Sequence, residues 1–515
     1  MEKAPRILMF TFESIYTRKV GGLAEVPPRL GAALEELGAA VEVYTPSHGA
    51  VDACREPIYV SPDGYCISRV EGSRPLHFAV GGGVLDDPVV YSPEELVEKA
   101  MAFAKAVSSY LGERLPETSS KVVFHAHDWH SYPVLLALNA ITTRAGKYHP
   151  LVYHVHALSK TRLGLDAFCN WLGVCSNTLV RGSWGIAEFG EYYEASGGLV
   201  ERLAALTVDL VVTVSRGYSK TVMKSVGPAS WSKVDYVPNA SPVEWAEVRD
   251  AASRLAGLRN PELLEERLRA RKLLLTSRLA QVELSWGSPR IKAYVEEVLG
   301  KYGLNPREPF KSDGPLLFAI GRLSRQKGFD VLLRALDRLT LLVPRIRVVV
   351  AAAPTEWSLE DVKWLAEHQL VYRENLRVLP GMLGRGDALL FYYAANATAV
   401  PSRSEPFGLV ALESMASGTP VAASRVEGLA DIVLDLGERG SVGTGVLFEP
   451  EDPRELAEKT AKLVELVEEA YYGDAAGRLV RELCIKRARE FSWRESAKKA
   501  LEAYKRVLGG VGGSS

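Results

Sequence analysis

The 515-residue sequence lacks the features that mark nucleic-acid-binding and membrane proteins. Its 62 Lys and Arg residues nearly balance 63 Asp and Glu residues, and the formal net charge is −1. Because no global excess of positive charge attracts a polyanion, we expect no nucleic-acid partner. No apolar run reaches the roughly 18 residues of a transmembrane helix, so we expect no membrane partner either.

Cysteine is also scarce, with five residues in the chain: Cys54, Cys66, Cys169, Cys175 and Cys484. None forms a C-x-x-C pair, which argues against a zinc ribbon or a thioredoxin-like site. An odd, sparse set is typical of a reducing cytosol, although intracellular disulfides occur in hyperthermophiles. The first apolar run is interrupted by Thr11 and Glu13, which is not typical of a signal peptide. We therefore expect a cytoplasmic protein.

The pattern of apolar segments predicts an α/β fold with two Rossmann-like domains and an interdomain cleft. The chain is too long for one hydrophobic core. Two β/α series are visible, one from residue 6 to residue 214 and the other from Pro315 to residue 423. We predict an N-terminal domain over 1–240, a C-terminal domain over 241–490, and a last helix over 491–508 that returns to the first domain.

The individual elements follow from the spacing of apolar residues. The first series predicts strands at 6–12, 40–45, 121–126, 151–156 and 209–214, with helices at 27–37, 93–111, 132–140 and 199–207. The second predicts strands at 316–320, 346–352, 397–401 and 420–423, with helices at 328–339 and 408–417. Residues 246–310 are rich in charge, Leu and Ala and predict a helical insertion. A surface embellishment of the domain junction is favoured there over a partner-binding element.

The segment Glu405-Pro-Phe-Gly-Leu-Val-Ala-Leu-Glu413 is the strongest local feature. It follows a predicted strand and starts a helix, with Pro406 near the helix start, where a missing N–H costs little. The backbone N–H groups around Gly408 and Leu409 could hold phosphate oxygens. Glu413 lies about two turns beyond Glu405 and is expected to face the same cleft.

Two further loops join a predicted strand to a predicted helix. Gly321-Arg322-Leu-Ser-Arg-Gln-Lys327-Gly328 carries two cations that could neutralise a diphosphate at the carboxyl end of a strand. Lys19-Val-Gly21-Gly22 has paired glycines that allow close approach of a phosphate, and Lys19 adds charge. Neither loop has the spacing of a Walker loop or of G-x-G-x-x-G.

Histidines cluster at His125-Ala-His127-Asp128-Trp-His130 and at His154-Val-His156. H-x-H on a strand places both rings on one face, which could suit a metal ion. No third ligand is spaced to help, so we expect no metal. The favoured interpretation is that one histidine at each strand end contacts the hydroxyl groups of a sugar, and that Asp128 does the same.

Five motifs in this order resemble the glycogen/starch synthase family of retaining GT-B glycosyltransferases, particularly its shorter archaeal members. They are K-V-G-G-L-A-E-V, H-A-H-D-W-H, G-R-L-S-R-Q-K-G-F-D, P-S-R-S-E-P-F-G-L-V-A-L-E-S-M and G-T-G-V-L-F-E-P. The resemblance spans most of the chain and is weak over 50–120 and 246–312. The first two motifs are what narrow the resemblance to the synthases.

The resemblance implies roles for particular residues. Lys19, Gly21 and Gly22 would approach the donor phosphates, and Arg322 and Lys327 would bind the diphosphate. Glu405 would lie at the glucose and the reaction centre. The remaining assignments are Glu413 on the donor ribose, Gly408 and Leu409 at the phosphate-binding helix start, His156 near the donor glucose, and Asp128 near the acceptor.

The sequence departs from the family pattern at two places. The usual N-G-[IV]-D is Asn239-Ala-Ser-Pro242, and the usual Gly-Gly-Leu is Glu427-Gly428-Leu429. Because a carboxylate would repel a phosphate, we expect Glu427 to point away or to meet Arg425.

The resemblance implies transfer of α-glucose from ADP-glucose or UDP-glucose to the non-reducing end of an α-1,4-glucan, with retention and without a cofactor. No Asp-x-Asp pair is present to hold a divalent metal on the donor. The alternatives are another GT-B enzyme that makes a small or trehalose-like glycoside, and a non-catalytic glucan-binding protein. A glycogen phosphorylase would share the architecture but require pyridoxal phosphate.

Overall fold

The computed structural model describes residues 5–115, 122–439 and 442–509. It contains two compact units: unit 1 comprises Met1–Ala240 with Ser492–Ser515, and unit 2 comprises Ser241–Phe491. Each unit has its own mostly parallel sheet with helices between successive strands. The predicted class of two Rossmann-like α/β domains is confirmed.

Unit 1 is built on a nine-stranded sheet in the order β11-β10-β7-β6-β1-β2-β5-β4-β3. Strands β11 to β5 in this order pair in parallel, whereas β5-β4-β3 pair antiparallel. The strands are β1 Arg6–Phe10, β2 Ala40–Pro46, β3 Tyr59–Val60, β4 Cys66–Val70, β5 Leu76–Gly81, β6 Val122–His127, β7 Leu151–Val155, β10 Leu210–Thr213 and β11 Val234–Tyr236; β8 Leu179–Gly182 and β9 Gly185–Glu188 form a separate hairpin. Lys121, where the predicted third strand begins, lies outside the described residues.

The helices of unit 1 include the last helix of the chain. They are α1 Val26–Glu36, α2 Leu96–Gly112, α3 Tyr132–Arg144, α4 Leu165–Leu172, α5 Phe189–Ser196, α6 Val200–Thr207, α7 Arg216–Val226 and α19 Trp493–Gly509. Alternate residues Ile7 and Met9 of β1 pack in one hydrophobic core with Leu30 and Leu34 of α1 and with Tyr504 of α19. The sheet face is therefore covered by helices from both ends of the chain.

Unit 2 has a six-stranded parallel sheet in the order β15-β14-β13-β17-β18-β19. Its strands are β13 Leu316–Arg322, β14 Arg347–Ala353, β15 Leu376–Leu379, β17 Ala397–Val400, β18 Val421–Ser424 and β19 Gly445–Phe448; β12 Leu284–Ser285 pairs separately with β16 Met382–Leu383. Its helices are α8 Trp245–Ala256, α9 Leu264–Thr276, α10 Pro289–Lys301, α11 Phe329–Leu342, α12 Asp361–Val371, α13 Arg385–Ala394, α14 Leu409–Ala416, α15 Glu427–Ile432, α16 Leu436–Arg439, α17 Pro453–Ala470 and α18 Ala475–Arg489.

The segment 246–310 forms helices, as predicted, and α9 is anchored in unit 2. Arg271 of α9 is 2% exposed and pairs with Asp313 at 2.9 Å and with Glu468 of α17. A buried cation with two carboxylate partners is costly to disturb. Within the insertion, α9 is thus part of the unit 2 core.

Four of the five cysteines form disulfides, which the sequence did not predict. Cys54 bonds to Cys66 and Cys169 bonds to Cys175, while Cys484 is free and buried. The expectation of reduced cysteines is therefore wrong for these four residues, because the chain folds each pair close together: the Cα atoms of Cys54 and Cys66 lie 5.1 Å apart.

Within the described ranges, no helix is both long enough and apolar enough to cross a membrane.

Candidate functional site

In unit 2, two loops that carry predicted site residues meet at one edge of the sheet. Strands β13 and β17 are parallel neighbours, so their carboxyl ends lie at the same edge. The loop after β13 contains Lys327, and the loop after β17 contains Glu405. Lys327 Nζ lies 2.6 Å from Glu405 Oε2. Two residues that are 78 positions apart thus form an ion pair.

The Lys327–Glu405 pair is held in a largely enclosed position. The side chains are 19% and 13% exposed. The Ser402 hydroxyl donates a longer bond of 3.3 Å to the same carboxylate oxygen of Glu405. A cation and an anion this close stabilise each other's charged form. Both side chains are still partly exposed, so a ligand can contact them.

Backbone contacts hold the two loops together. Arg403 N–H donates to the Gln326 carbonyl at 2.8 Å, and the Gln326 side chain donates to the Ser404 carbonyl at 2.9 Å. Gly328 has φ +66°, and a Cβ there would collide with the Pro401 carbonyl. Only glycine fits at that position. The approach of the loops is therefore set by the backbone as well as by the ion pair.

Arg403 reinforces the same junction, and the sequence did not single it out. Its guanidinium donates to both carboxylate oxygens of Asp330 at 2.7 Å and also binds Glu451. Hydrogen bonds from Arg403 lower the pKa of Asp330. The motif P-S-R-S-E contained this signal, since an arginine two residues before a functional acid is well placed to fix its loop.

Helix α14 begins at the predicted phosphate-binding position. Gly408 is the N-cap residue with φ +114°, and a Cβ there would lie 2.9 Å from Leu429 Cδ2. Leu409 is the first helical residue and is half-buried. Glu413, one turn further along, accepts a hydrogen bond of 2.8 Å from the Tyr392 hydroxyl. The helix start and the Glu413 carboxylate are thus both positioned by buried neighbours.

Glu427 lies where we did not expect it. Its Oε2 accepts hydrogen bonds of 2.8 Å from the backbone N–H of Glu405 and from the Ser404 hydroxyl. The prediction that Glu427 points away or meets Arg425 is wrong, because Arg425 is taken by acidic partners that include Asp435. Glu427 instead uses φ +32° to turn toward the Glu405 loop. Its carboxylate fixes the backbone that carries Glu405.

Arg322 is the remaining predicted cation of unit 2. It is the last residue of β13 and is exposed. Its guanidinium makes no hydrogen bond or ion pair with any residue in the described ranges. Unlike Lys327, Arg322 therefore offers its charge to solvent or to a ligand.

In unit 1, the predicted glycine loop is held by an acid that the sequence did not identify as functional. Glu13 Oε2 accepts hydrogen bonds from the backbone N–H groups of Val20 and Gly21 at 2.7 and 2.8 Å. Its Oε1 accepts one of 2.9 Å from the Tyr91 hydroxyl, and Glu13 is 2% exposed. The Gly21 N–H is thus committed to Glu13, while Lys19 pairs with Glu25 and stays half exposed.

Asp128 and His156 are joined through the backbone. Asp128 Oδ1 accepts from the N–H groups of His156 and Ala157 at 2.7 and 3.2 Å. Asp128 is buried, and desolvation raises its pKa to about 7. It also has φ +57° and ψ +169°, a combination that is strained for any residue except glycine and that clusters at functional sites.

The loop after β7 is held by a second buried acid, Glu201 of α6, which the sequence did not single out. Its Oε1 accepts a hydrogen bond of 2.7 Å from the Ser159 N–H. Glu201 is 2% exposed, and desolvation raises its pKa to about 7. Glu201 thus holds the segment that follows His156. The sequence signal that could have found it is an acid second in the helix segment V-E-R-L-A-A-L, whose other residues are apolar except Arg202.

Three of the clustered histidines lie inside unit 1, away from solvent. His125, His127 and His154 are at most 1% exposed. The Tyr504 hydroxyl of α19 meets His125 Nδ1 at 2.7 Å. Of the histidines at the strand ends, His127 is buried and does not fit the predicted contact with sugar hydroxyls, whereas for His156 that contact stays a prediction. His156 is partly exposed, and burial lowers its pKa to about 3.

Family models match both parts of the chain. Residues 6–229 match the starch synthase catalytic domain, and residues 304–478 match the glycosyl transferases group 1. The chain is 29% identical to a glycogen synthase from Thermus thermophilus over 517 residues, covering 98% of this chain and all of that protein. It is 34% identical to a D-inositol 3-phosphate glycosyltransferase from Kineococcus radiotolerans over 217 residues, covering 41% of this chain and 48% of that protein.

A solved structure shares the fold over the full length. The catalytic domain of starch synthase IV from Arabidopsis thaliana, bound to ADP and acarbose, superposes with a TM-score of 0.71 at 18% identity, covering 98% of this chain and all of that one. This likeness shows the GT-B fold, and the two family models with the full-length relative show that the chain is a hexosyltransferase that belongs to the glycogen/starch synthase family.

Proposed function

We propose that this enzyme transfers α-glucose from ADP-glucose or UDP-glucose to the non-reducing end of an α-1,4-glucan, with retention of configuration. The observation that carries the proposal is the Lys327–Glu405 pair, 2.6 Å apart at the carboxyl edge of the unit 2 sheet. A carboxylate and a cation at that edge match the two charges of the reaction. The sugar becomes positive as the bond to the donor breaks, and the leaving diphosphate becomes negative.

The leaving diphosphate is the group that Arg322 and Lys327 would bind. Arg322 is exposed and presents its guanidinium to solvent, and Lys327 lies on the same loop. The N–H groups at the start of α14, at Gly408 and Leu409, would add oriented dipoles. Groups fixed in place before the charge develops lower the barrier, because they need not reorganise during the reaction.

Glu405 would stabilise the oxocarbenium-like sugar. Its backbone is fixed by Glu427, and its carboxylate is fixed by Lys327 and Ser402. Such support holds a functional group within the small tolerance that catalysis requires. Glu413, oriented by Tyr392, would accept hydrogen bonds from the donor ribose.

Unit 1 would supply the remaining proposed contacts. Lys19, Gly21 and Gly22 are proposed donor contacts on a loop that Glu13 shapes. His156 is proposed to contact the donor glucose, and Asp128 is proposed to act on the acceptor side. Because the Asp128 Oδ1 atom binds backbone N–H groups, its effect on the acceptor would depend on the other oxygen or on the loop that it positions.

The relatives support this choice of substrates. The full-length match is a glycogen synthase, and the solved starch synthase holds ADP and acarbose. A cytoplasmic site of action belongs to the same proposal.

The direct test is incubation of the enzyme with glycogen and either ADP-glucose or UDP-glucose. We expect release of the nucleoside diphosphate together with extension of the glucan chains, and digestion of the product by an α-1,4-specific glucosidase would report retention. Nucleotide release without chain extension, with either donor, would contradict the proposal.

A second candidate is transfer to a small acceptor, which the partial match to the D-inositol 3-phosphate glycosyltransferase favours. The same reactions with free sugars and sugar phosphates in place of glycogen distinguish the two functions. Formation of a small glycoside faster than glucan extension would favour this second candidate.

A further inference from the structure

Three buried histidines come together in unit 1 on neighbouring strands. His125 and His127 lie on one face of β6, and His154 of β7 is the register partner of His127. The ring centroids of His125 and His127 are 4.3 Å apart, and that of His154 is 5.3 and 5.2 Å from them. The third ring that the H-x-H motif lacks in sequence is therefore supplied by strand pairing.

The rings keep unused nitrogens turned to the interior. His125 Nδ1 meets the Tyr504 hydroxyl at 2.7 Å, and His127 Nδ1 meets His156 Nε2 at 2.9 Å. In each ring the other nitrogen, Nε2, is buried and has no hydrogen-bond partner among the described residues. For His154 neither ring nitrogen has such a partner in those ranges.

Other buried histidines, such as His77, also have one unpartnered ring nitrogen, but only here do several lie together and does one ring, His154, have both nitrogens unpartnered among the described residues. Buried polar atoms are nearly always hydrogen-bonded, so four unpartnered nitrogens in one cluster call for an explanation. Histidine ligands commonly bind the metal with one nitrogen while the other is held by a neighbouring group, as Tyr504 and His156 hold two of these rings. One potential ligand atom from each of the three histidines lies within 4.8 Å of the others.

We propose that His125, His127 and His154 bind one divalent ion of the zinc class inside unit 1. Ligation by neutral imidazoles favours Zn²⁺ or Co²⁺ over Mg²⁺ or Ca²⁺, which prefer oxygen. Zinc–nitrogen bonds of about 2.0–2.1 Å require the rings to rotate toward a common centre. The ion would join β6 to β7 and, through the Tyr504 contact, would stabilise the docking of α19.

The site touches the proposed transfer site at one point, where His127 Nδ1 lies 2.9 Å from Nε2 of His156. Its ligands are buried, and the sugar and diphosphate contacts proposed above come from other residues. The metal would therefore act on the stability of unit 1 and would reach the chemistry of transfer only through His156.

The experiment measures metal in the full-length protein. The chain is produced in medium supplemented with Zn²⁺, passed through a desalting column with a chelator, and analysed for metal by mass spectrometry. We expect about one zinc per chain in the wild type and less than about a tenth of that in His154→Gln. His77→Gln is the matched control, because His77 is an equally buried histidine on the same sheet with its Nδ1 bonded to the Pro75 carbonyl.

X-ray absorption at the zinc edge keeps the test decisive if His154→Gln fails to fold. The wild-type spectrum should show imidazole nitrogens, and no sulfur, in the coordination shell of the zinc ion. Three results would overturn the proposal: a wild-type chain without stoichiometric zinc that also gains no thermal stability from added Zn²⁺, zinc that persists in folded His154→Gln, or a zinc shell that contains sulfur.

Discussion

The Lys327–Glu405 ion pair allows structural and catalytic contributions to be separated by a double-mutant cycle. Lys327→Met and Glu405→Gln each remove one charge with little change in volume. The side chains are 19% and 13% exposed, so the pair is partly screened by solvent. We expect it to contribute about 1–2 kcal/mol to folding, more than an exposed pair but less than a fully buried one. The stability cost of the double variant should fall below the sum of the single costs by that amount.

Turnover should respond differently from stability. Loss of a charge-assisted contact to the diphosphate costs on the order of 1.5–3 kcal/mol, or about a 10- to 150-fold loss of kcat/KM in Lys327→Met. Glu405→Gln should lose at least as much, because a neutral amide stabilises a developing cation poorly. Since the two residues would act on different parts of the donor, the double variant should be slower than either single variant.

The assay is release of nucleoside diphosphate in the presence of glycogen, with urea unfolding as the parallel stability measurement. Glu458→Gln is the control, because it breaks exposed ion pairs with Arg454 of α17 and Arg338 of α11 and should leave turnover unchanged. A folded Glu405→Gln variant with more than about a tenth of wild-type turnover has lost less than about 1.4 kcal/mol of transition-state stabilisation. That result would refute a role for Glu405 at the reaction centre.

Four other outcomes can be measured with the same enzyme. Arg322→Ala should lower turnover about tenfold or more while glycogen affinity stays unchanged, and a change in glycogen affinity alone would contradict its diphosphate role. Glu13→Ala should impair turnover by releasing the Val20 and Gly21 N–H groups, and Glu13→Gln should restore much of it; equal loss in both variants would argue against positioning through hydrogen bonds. Burial raises the pKa of Glu201 from 4.5 to about 7, so the stability that its protonated form provides is complete below pH 4.5 and is lost as pH rises through 7. In urea unfolding, the free energy of unfolding of Glu201→Gln should therefore rise relative to that of the wild type between pH 5 and pH 8, by up to about 3 kcal/mol. A difference between the two free energies that does not change with pH would contradict this. Finally, EDTA should leave the initial rate of nucleotide release unchanged, and a rate that collapses with EDTA and returns with Mg²⁺ or Mn²⁺ would show that the transfer step needs a metal.

Much of the fold could be predicted because its strands are buried on both faces and alternate with amphipathic helices. Strand 316–320 and helix 328–339, for example, correspond to β13 and α11. The short antiparallel strands β3 and β4 were missed, because two to five residues with little alternation do not stand out from loops. The helices of 246–310 were recognised, but the burial of Arg271 was not, since its partners lie far along the chain.

The site was predictable where chemistry is concentrated in one short motif. Lys327 and Glu405 were each identified from a loop that follows a strand, but their direct contact depends on β13 lying beside β17, which only the sheet order reveals. Glu427 was misplaced because its partners, the Glu405 N–H and the Ser404 hydroxyl, lie on a loop more than twenty positions earlier and not on its own segment. The burial of His127 was missed for a similar reason: the position of α19 over β6 depends on packing between residues 379 positions apart.

The return of α19 to unit 1 has a consequence for biosynthesis. A chain that leaves the ribosome from its N-terminus has the whole of residues 1–240 in solution while unit 2 is still being made, yet Ala497, Ala500 and Tyr504 of the unit 1 core do not yet exist. Unit 2, which is one continuous segment, can complete its core first. During that interval the side of α1 that receives α19 remains uncovered, with Leu30 and Leu34 near it. The nascent protein therefore carries an apolar surface until α19 emerges, and it is most exposed to aggregation during that interval.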